Sequence, residues 1–349
     1  MKRKKFVLCG LAVLTVCLLT VTCSKRDDTL IKYNNFPVSS EMKFSPIEFT
    51  DSVFMRFPYG IVLSDSFMFI HDLHADEFYI HCFTYPDFRY YNSFCKRGKG
   101  PNEFIRIGSI HLYNDTLFID ETGNKIFSID IHNISTTKND FNKIELPGDY
   151  GVLGRGIKVR DKFVFPSYNT PNDGRLLVFD SEGKYLHALG KIRPDDGRKI
   201  NSATSQAWMP FLAGNENIIV AATQWGEVLD IFDADGNQRT VKGKDGDPVY
   251  EEHESYGIPT GIRGFDDVTV TKEYIFAIYD GDKIKESDPY IVGGKYIYVF
   301  DYQGNPVEKI TLDRRIGTIY VDEKNKLIYA LDVNSDSPLF VAQLPERFF

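Results

Sequence analysis

The chain lacks the short motifs that would assign a catalytic function directly. Its 349 residues contain no Gly-x-Ser-x-Gly nucleophile motif, no Gly-x-x-x-x-Gly-Lys-Ser/Thr phosphate loop and no His-Glu-x-x-His zinc motif. The chain is also poor in bases, with 41 Lys and Arg against 49 Asp and Glu and a formal net charge of -8. Because an acidic surface repels phosphate backbones, we predict no nucleic-acid partner. We also predict no cofactor.

Cysteine is scarce as well, since only Cys82 and Cys95 lie beyond the first 23 residues. We expect both on neighbouring strands of one hairpin that turns at residues 85–87. In that register Cys82 lies opposite residue 90 or 91 while Cys95 lies opposite Phe78, which is too far along the ladder for a bond between the sulfurs. The prediction is two free, packed thiols.

The N-terminus has the layout of a secretory signal peptide. Residues 2–5 are all basic and precede an uncharged, largely apolar run at residues 6–22. This run is shorter than the ~20 residues that a spanning helix needs. We therefore predict that residues 1–22 are a cleaved signal peptide, and an uncleaved membrane anchor is the alternative.

The cysteine after this run carries a resemblance to bacterial lipoproteins. Residues 19–23 read Leu-Thr-Val-Thr-Cys, and in lipoproteins a cysteine at this place is diacylated and becomes the new N-terminus. The resemblance implies that Cys23 is acylated and that the acyl chains bind the outer membrane. Thr22 departs from the Gly, Ala or Ser usual before that cysteine, and Cys17 is a second candidate. Residues 23–35 are predicted to be a tether. Its residues 24–28 contain two acids and are similar to the acid-containing tether of surface-exposed lipoproteins of Bacteroidetes, and a solvated linker is the alternative.

The rest of the chain shows no long helical periodicity. Short runs rich in Val, Ile, Phe and Tyr alternate with Gly, Asp, Asn and Pro clusters, which is typical of an all-β fold. A β-rich run that ends in Asp, with Gly three residues later, occurs at residues 177–183, 230–236 and 298–304. With weaker copies near residues 84 and 130, the spacing is about 50 residues, which suits a four-stranded propeller blade.

A second repeat predicts the number of blades. A first strand, a polar turn and a strongly hydrophobic second strand occur six times, at residues 60–63 with 67–70, 110–112 with 117–119, 157–159 with 163–165, 211–213 with 218–220, 268–270 with 274–276 and 318–321 with 327–329. Too little chain follows the sixth copy for a fourth strand, and residues 42–53 are predicted to supply it. We therefore predict an all-β, six-bladed β-propeller at residues 36–349, closed by an N-terminal strand that joins the last blade.

Residues 97–104 carry the most specific resemblance to a known family. They read Arg-Gly-Lys-Gly-Pro-Asn-Glu-Phe, which is similar to the Gly-x-Gly-Pro-Gly-Glu-Phe segment between the first two blades of TolB-like six-bladed propeller lipoproteins of Bacteroidetes. Asn102 replaces the third Gly of that segment, and Asn also adopts left-handed backbone conformations. The resemblance covers essentially the whole chain after the leader. It implies a fold and a location, because the biochemical role of that family is largely unassigned.

The candidate ligand-binding residues lie on long loops that a propeller places on one face. Long loops on a rigid ring are the usual places for binding sites. Bases at the 98–104 loop can hold an anion, although the loop also has a structural explanation as a blade crossover. Arginine and aromatic side chains on the other loops suit a saccharide or peptide groove. The candidates are Arg97, Lys99, Glu103, Arg106, Arg155, Arg198, Trp208, Trp225 and Arg263.

Two further runs contain metal-ligand chemistry. Residues 71–77 hold two imidazoles and three carboxylates, which suit Zn²⁺ or Mn²⁺, so His71, Asp72 and His74 are metal candidates beside the alternative of a polar surface loop. Residues 233–237 resemble the start of a calcium loop. Lys244 stands where that loop needs Glu, so we expect a hairpin turn there.

These features predict an envelope-anchored lipoprotein whose loop-rich face binds or scaffolds a glycan, a peptide or a partner protein. A metal-assisted hydrolase or lactonase with ligands converging on the central channel is the alternative, because propeller enzymes gather their residues from separate blades. A purely structural envelope component is a third hypothesis. We expect the chain to be secreted and anchored to the outer membrane, on its periplasmic or its surface-exposed face.

Overall fold

The structure is a computed structural model that describes residues 28–49, 53–122, 124–136, 138–151, 153–168, 174–254, 256–285 and 292–349. The predicted signal peptide and the predicted acylation site Cys23 lie outside these residues. The described part consists mostly of β-strands, and none of its helices is long and apolar enough to cross a membrane.

The strands form six sheets arranged as blades. Three strands precede the first blade: β1 (Thr29–Lys32), β2 (Val38–Met42) and β3 (Ser45–Pro46). Blade 1 contains β4 (Pro58–Leu63), β5 (Phe67–Asp72), β6 (Phe78–Thr84) and β7 (Tyr90–Lys96). Blade 2 contains β8 (Ile107–Tyr113), β9 (Thr116–Glu121), β10 (Lys125–Asp130) and β11 (Asn142–Glu145). Blade 3 contains β12 (Ile157–Val159), β13 (Lys162–Pro166), β14 (Gly174–Phe179) and β15 (Tyr185–Lys191).

The second half of the chain completes the ring and adds a small hairpin. Blade 4 contains β16 (Pro210–Gly214), β17 (Ile218–Thr223), β18 (Val228–Asp233) and β19 (Gln238–Lys242). The hairpin is β20 (Tyr250–His253) and β21 (Tyr256–Pro259). Blade 5 contains β22 (Phe265–Val270), β23 (Tyr274–Tyr279), β24 (Gly294–Asp301) and β25 (Pro306–Ile316). Blade 6 contains β26 (Thr318–Asp322), β27 (Leu327–Leu331) and β28 (Leu339–Gln343).

The helical elements of the described residues are short, and all but the last lie between strands. One α-helix, α1 (Ser202–Ala207), precedes blade 4 and packs against the β20–β21 hairpin. Its N-terminus is capped by Asn201, whose side chain accepts a hydrogen bond from the Thr204 N–H. Single 3-10 turns occur at Ile131–Asn133, Gly148–Tyr150 and Glu346–Phe348.

The blades pack face to face around a central axis. The first strand of each blade contacts the first strands of both neighbouring blades, so that β4, β8, β12, β16, β22 and β26 form a closed ring. Each of the six junctions between blades has its own apolar cluster. In β5, for example, Met68 and Ile70 pack towards blade 6 while Phe69 packs towards blade 2. The second strands are therefore apolar on both faces, which explains the strongly hydrophobic runs in the sequence.

The predicted N-terminal closing strand is confirmed. β3 pairs antiparallel with β28, with Ser45 opposite Val341 and Pro46 opposite Phe340. The Ile47 N–H extends the pairing by donating to the Leu339 carbonyl at 2.8 Å. Blade 6 thus obtains its fourth strand from the beginning of the described chain, and the ring is closed.

Two further N-terminal strands were not predicted. β1 pairs parallel with β19 and β2 pairs parallel with β25, so each adds a fifth, outer strand to blade 4 or blade 5. Residues 29–32 are therefore part of the propeller and not of a tether, and the folded region begins before residue 36. Sequence reasoning missed these strands because most of their side chains are exposed and pairing uses the backbone. We call residues 29–46 the N-terminal belt.

The repeated Asp and Gly positions form the hairpins between third and fourth strands. In blade 5 the Asp301 carboxylate accepts hydrogen bonds from the N–H groups of Gln303 at 2.9 Å and Asn305 at 2.8 Å. Gly304 supplies a left-handed backbone with φ +87°. Asp180 and Asp233 make the same pair of contacts in blades 3 and 4. The calcium-like run at residues 233–237 is therefore a hairpin turn, as predicted.

The two thiols are free and buried, as predicted. Cys82 lies opposite Asn92 in the β6–β7 ladder, while Phe78 lies opposite Lys96. Burial raises the pKa of both thiols well above its usual range. Both side chains therefore act as small apolar groups in the cluster between blades 1 and 2.

Candidate functional site

Two cavities lie along the propeller axis, and Tyr59, Gly108 and Arg155 line both of them. The first, which we call the chamber, encloses about 460 Å³ between the six innermost strands. The second, which we call the funnel, encloses about 410 Å³ and is lined by residues from the second-to-third-strand loops and the blade crossovers. The funnel therefore opens on the predicted loop-rich face. Its lining includes Leu73, Arg106, Leu153, Arg155, Tyr168 and Met209.

Arg155 stands where the two cavities meet. Tyr59 of blade 1 and Phe211 of blade 4 approach each other across the axis, with ring centroids 6.3 Å apart. The Arg155 guanidinium lies over both rings, 4.7 Å from the Phe211 centroid and 5.8 Å from the Tyr59 centroid. Tyr59 and Arg155 line both cavities. These three side chains separate the funnel from the chamber.

The backbone of Arg155 is held in an unusual conformation. Its φ is +55°, in the left-handed region that costs a residue other than glycine about 1 kcal/mol or more. The Asp120 carboxylate of blade 2 accepts hydrogen bonds from the N–H groups of Arg155 and Gly156, the latter at 3.2 Å. A side chain of blade 2 thus fixes the start of blade 3 and aims Arg155 at the axis. Burial raises the pKa of this carboxyl to about 7.

Two more carboxyl groups line the chamber. Asp267 accepts hydrogen bonds from the Thr318 hydroxyl and from the Ile319 N–H at 2.9 Å, which ties blade 5 to blade 6. Burial raises the pKa of Asp267 to about 6 and that of Asp266 to about 7, with nearby Asp280 adding to the second shift. The buried surroundings therefore favour the protonated form of both carboxyl groups.

The three metal candidates do different things in the structure. His71 is buried and lines the chamber, and burial lowers the pKa of its imidazole to about 3. The Asp72 carboxylate accepts backbone hydrogen bonds from Arg56 at 2.7 Å and Phe57 at 2.8 Å. His74 is exposed and packs edge-on to the Phe57 ring. Among the described residues no group of three or more His, Cys, Asp or Glu side chains could hold a metal ion.

The Gly-rich segment after blade 1 is held by its own glutamate. The Glu103 carboxylate accepts a hydrogen bond from the Gly100 N–H at 2.8 Å, which lowers the pKa of Glu103. A Cβ on Gly98 would lie 1.9 Å from a Glu103 carboxylate oxygen, so a side chain at this position would displace that carboxylate. Asn102 has φ +62°, in line with the left-handed conformation expected for it. These contacts give the segment a structural role as a blade crossover.

The bases around this segment are divided between two places. Arg97 donates to the Ala75 carbonyl at 3.0 Å, and Lys99 is exposed. Arg106 is the only one of the predicted bases from this region that lines the funnel. Neither Arg106 nor Arg155 forms an ion pair with any residue in the part of the chain that the structure describes.

Trp208 is not a surface residue, so its prediction as a ligand contact is wrong. Its side chain is 1% exposed and packs with Ile192, Ala207 and Val228 beneath α1. The Arg175 guanidinium lies 5.9 Å from the Trp208 ring and forms a buried ion pair of 2.9 Å with Asp230. Trp208 therefore stabilises the junction of blades 3 and 4, as apolar aromatics near blade starts commonly do.

The remaining candidates lie on the same face but outside the funnel lining. Arg263 is buried and pairs with Asp280 at 3.2 Å, and Trp225 forms a backbone bridge with Arg263. Arg198 is paired with Asp196 at 2.7 Å, and its guanidinium lies 5.0 Å from the Tyr250 ring. The structure thus brings Arg106 and Arg155 together at the funnel and places the other predicted bases elsewhere.

Sequence reasoning missed Tyr59, Phe211 and Asp120. A signal for the first two is present, because each aromatic directly follows a proline at the start of an innermost strand: Pro58 begins β4 and Pro210 begins β16. Blades 1 and 4 face each other in a six-bladed ring, so such a matched pair predicts contact across the axis. Asp120 has no comparable signal, because it looks like any acidic residue at the end of a strand.

The architecture defines the class: a closed six-bladed β-propeller with an axial chamber and a funnel on its loop-rich face. Residues 36–324 match the family described as TolB-like 6-blade propeller-like. The chain therefore belongs to this family, which confirms the resemblance drawn from residues 97–104.

Solved structures share the fold at low sequence identity. A protein from Bacteroides fragilis whose export is inferred is 13% identical, with a TM-score of 0.55 over 91% of this chain and 100% of that chain. A member of the DUF4221 family from Bacteroides vulgatus is 11% identical, with a TM-score of 0.51 over 88% of this chain and 96% of that chain. No curated protein matches the sequence.

Proposed function

We propose that the protein is an exported, lipid-anchored binding module of the cell envelope and that its ligand enters the funnel. One observation carries the proposal: two guanidinium groups without a carboxylate partner among the described residues, Arg106 and Arg155, line a concave cavity on the loop-rich face. Concave sites with a few converging polar groups are the usual form of ligand pockets. The glycan, peptide and partner protein named from the sequence all fit this description.

The architecture around the funnel supports binding. Arg155 projects from a rigid ring of strands, its backbone is fixed by Asp120, and its guanidinium rests on two aromatic rings. Such pre-organisation lowers the entropic cost of holding a ligand. The alternative, a metal-assisted hydrolase or lactonase, would need metal ligands converging on the channel.

The envelope location rests on the sequence pattern. The basic N-terminus, the apolar run and Cys23 have the order of a lipoprotein leader. The inferred export of the B. fragilis protein with the same fold is compatible with that location. Anchoring through acyl chains at Cys23 would place the propeller at the outer membrane, on its periplasmic or its surface-exposed face.

Thermal shifts of the full chain test the proposed site. We would measure the melting temperature with panels of oligosaccharides and peptides for the wild type and for Arg155→Met. A ligand at 100 times its dissociation constant stabilises the native state by about 2.7 kcal/mol, so at least one panel should raise the wild-type melting temperature. The same ligand should give a much smaller shift with Arg155→Met.

Arg198→Met is the matched control. This arginine lies on the same face, but it is paired with Asp196 and does not line the funnel. It should respond to ligand as the wild type does. A shift that survives in Arg155→Met, or the lack of any shift with either panel, would contradict the proposed site.

A further inference from the structure

The walls of the funnel combine aliphatic side chains with positive charge. Leu73, Leu153 and Met209 provide the aliphatic part, and Arg106 and Arg155 provide the charge. A ligand that matches both features has an anionic group attached to an apolar body. This inference rests on the proposed function, because it names the ligand class of the same site.

The carboxyl groups near the funnel form no ion pair with Arg106 or Arg155 among the described residues, although the charge of Arg155 partly offsets the rise in the pKa of Asp267. Asp120 and Asp267 accept hydrogen bonds from backbone N–H groups of neighbouring blades, and neither forms an ion pair among the described residues. Burial also favours their protonated form. In a chain with a formal net charge of -8, two unpaired guanidinium groups in one cavity favour an anionic ligand.

One nitrogen of Arg155 still needs a hydrogen-bond acceptor. Its Nη1 is buried and has no hydrogen-bond partner among the described residues. A buried donor without a partner is costly, and a carboxylate is the strongest acceptor that a guanidinium can meet, since it accepts two parallel N–H bonds.

We propose that the funnel binds the C-terminal carboxylate of a peptide whose last side chain is apolar. The carboxylate pairs with Arg155 and Arg106, and the last side chain packs against Leu73 and Met209. An acidic sugar offers the same carboxylate, but sugar rings favour open aromatic faces, and Arg155 covers the Tyr59 ring, so Tyr168 is the one uncovered aromatic ring against three aliphatic side chains among the described residues that line the funnel. The aliphatic wall therefore favours the peptide.

Calorimetric titration of the full chain with three probes tests this assignment. The probes are acetyl-alanyl-alanyl-leucine with a free carboxylate, the same peptide as its amide, and digalacturonate. The free acid should bind, and the amide should bind at least about tenfold more weakly, because it cannot form the charge-assisted pair. Arg106→Met, which alters an exposed side chain, should weaken the free acid several-fold, whereas Arg198→Met should leave its affinity unchanged.

The outcomes test the ligand class separately from the proposed binding function. Equal binding of acid and amide overturns the carboxylate assignment. Tighter binding of digalacturonate than of the peptide overturns the peptide and makes an acidic sugar the ligand. If none of the three probes binds, this inference fails, while the proposed function stands or falls separately on the wider thermal-shift panels.

Discussion

At the scale of single residues, the channel contains ionisable groups whose pKa values the fold shifts away from their ordinary range. His71 and His111 line the chamber, and burial lowers the pKa of each imidazole to about 3. Asp120, Asp266 and Asp267 have the opposite shift, because burial raises the pKa of a carboxyl. The two types of group therefore impose opposite pH dependences on the free energy of unfolding.

Replacement of His71 tests the contribution of a buried histidine to the pH dependence of the unfolding free energy. A histidine with a lowered folded-state pKa stays neutral in the folded protein while the unfolded chain takes up a proton below its ordinary pKa of 6.5. Stability is therefore lost as the pH falls from 6.5 towards 3. Between pH 7 and pH 5 the wild type should lose about 2 kcal/mol more unfolding free energy than His71→Gln, measured by urea denaturation. Equal losses would show that His71 is protonated in the folded protein.

The residues of the site were only partly predictable from the sequence. Arg155 and Arg106 follow from the rule that long loops of a propeller share one face. Arg198 and Arg263 differ from these two arginines because each forms an ion pair with an aspartate. The sequence does not show which arginine lies beside an aspartate in the folded protein. Trp208 shows the same limit, since sequence does not distinguish a surface aromatic from one buried beneath a short helix.

At the scale of the elements, the hairpin turns explain why the blades fit together. The turn at Gly304 in blade 5 packs against β19 of blade 4, and a Cβ there would lie 2.6 Å from Val241 Cγ2. Glycine is needed at this position both for its left-handed backbone and for the close approach of two blades. The Asp and Gly repeat in the sequence therefore marks contacts between blades as well as turns.

Two glycine replacements separate the requirement for a left-handed backbone from the requirement for a close approach between blades. Gly304 has φ +87° and Gly197 has φ +65°, but a Cβ on Gly197 would meet nothing within 4 Å. Both substitutions to Ala strain the backbone, and only Gly304→Ala adds a steric conflict. Gly304→Ala should cost about 1–3 kcal/mol more unfolding free energy than Gly197→Ala in urea denaturation. Equal losses of unfolding free energy in the two variants would mean that blade 4 accommodates the added methyl group without a steric conflict.

The N-terminal belt shows which elements the sequence does not reveal. The six pairs of first and second strands are predicted well because both faces of each blade are apolar. β1 and β2 have mostly exposed side chains and lie on the rims of blades 4 and 5. Tyr33, just after β1, donates a hydrogen bond to the buried Glu227 carboxylate at 2.7 Å, so a few buried contacts hold this belt in place.

At the scale of the whole molecule, ring closure and the binding site are linked. Six apolar junctions hold the blades, and carboxylates such as Asp120 and Asp267 connect each blade to its neighbour through backbone N–H groups. Tyr59 and Phe211 come from opposite blades and meet only because the ring is closed. The funnel is therefore a property of the assembled propeller and of no single blade.

A crystal structure of the full chain with acetyl-alanyl-alanyl-leucine tests the central claim most directly. We expect the peptide in the funnel, with its carboxylate oxygens about 2.7–2.9 Å from guanidinium nitrogens of Arg155 and Arg106. The leucine side chain should contact Leu73 and Met209. A peptide bound along a blade edge, with the funnel empty, would contradict the account.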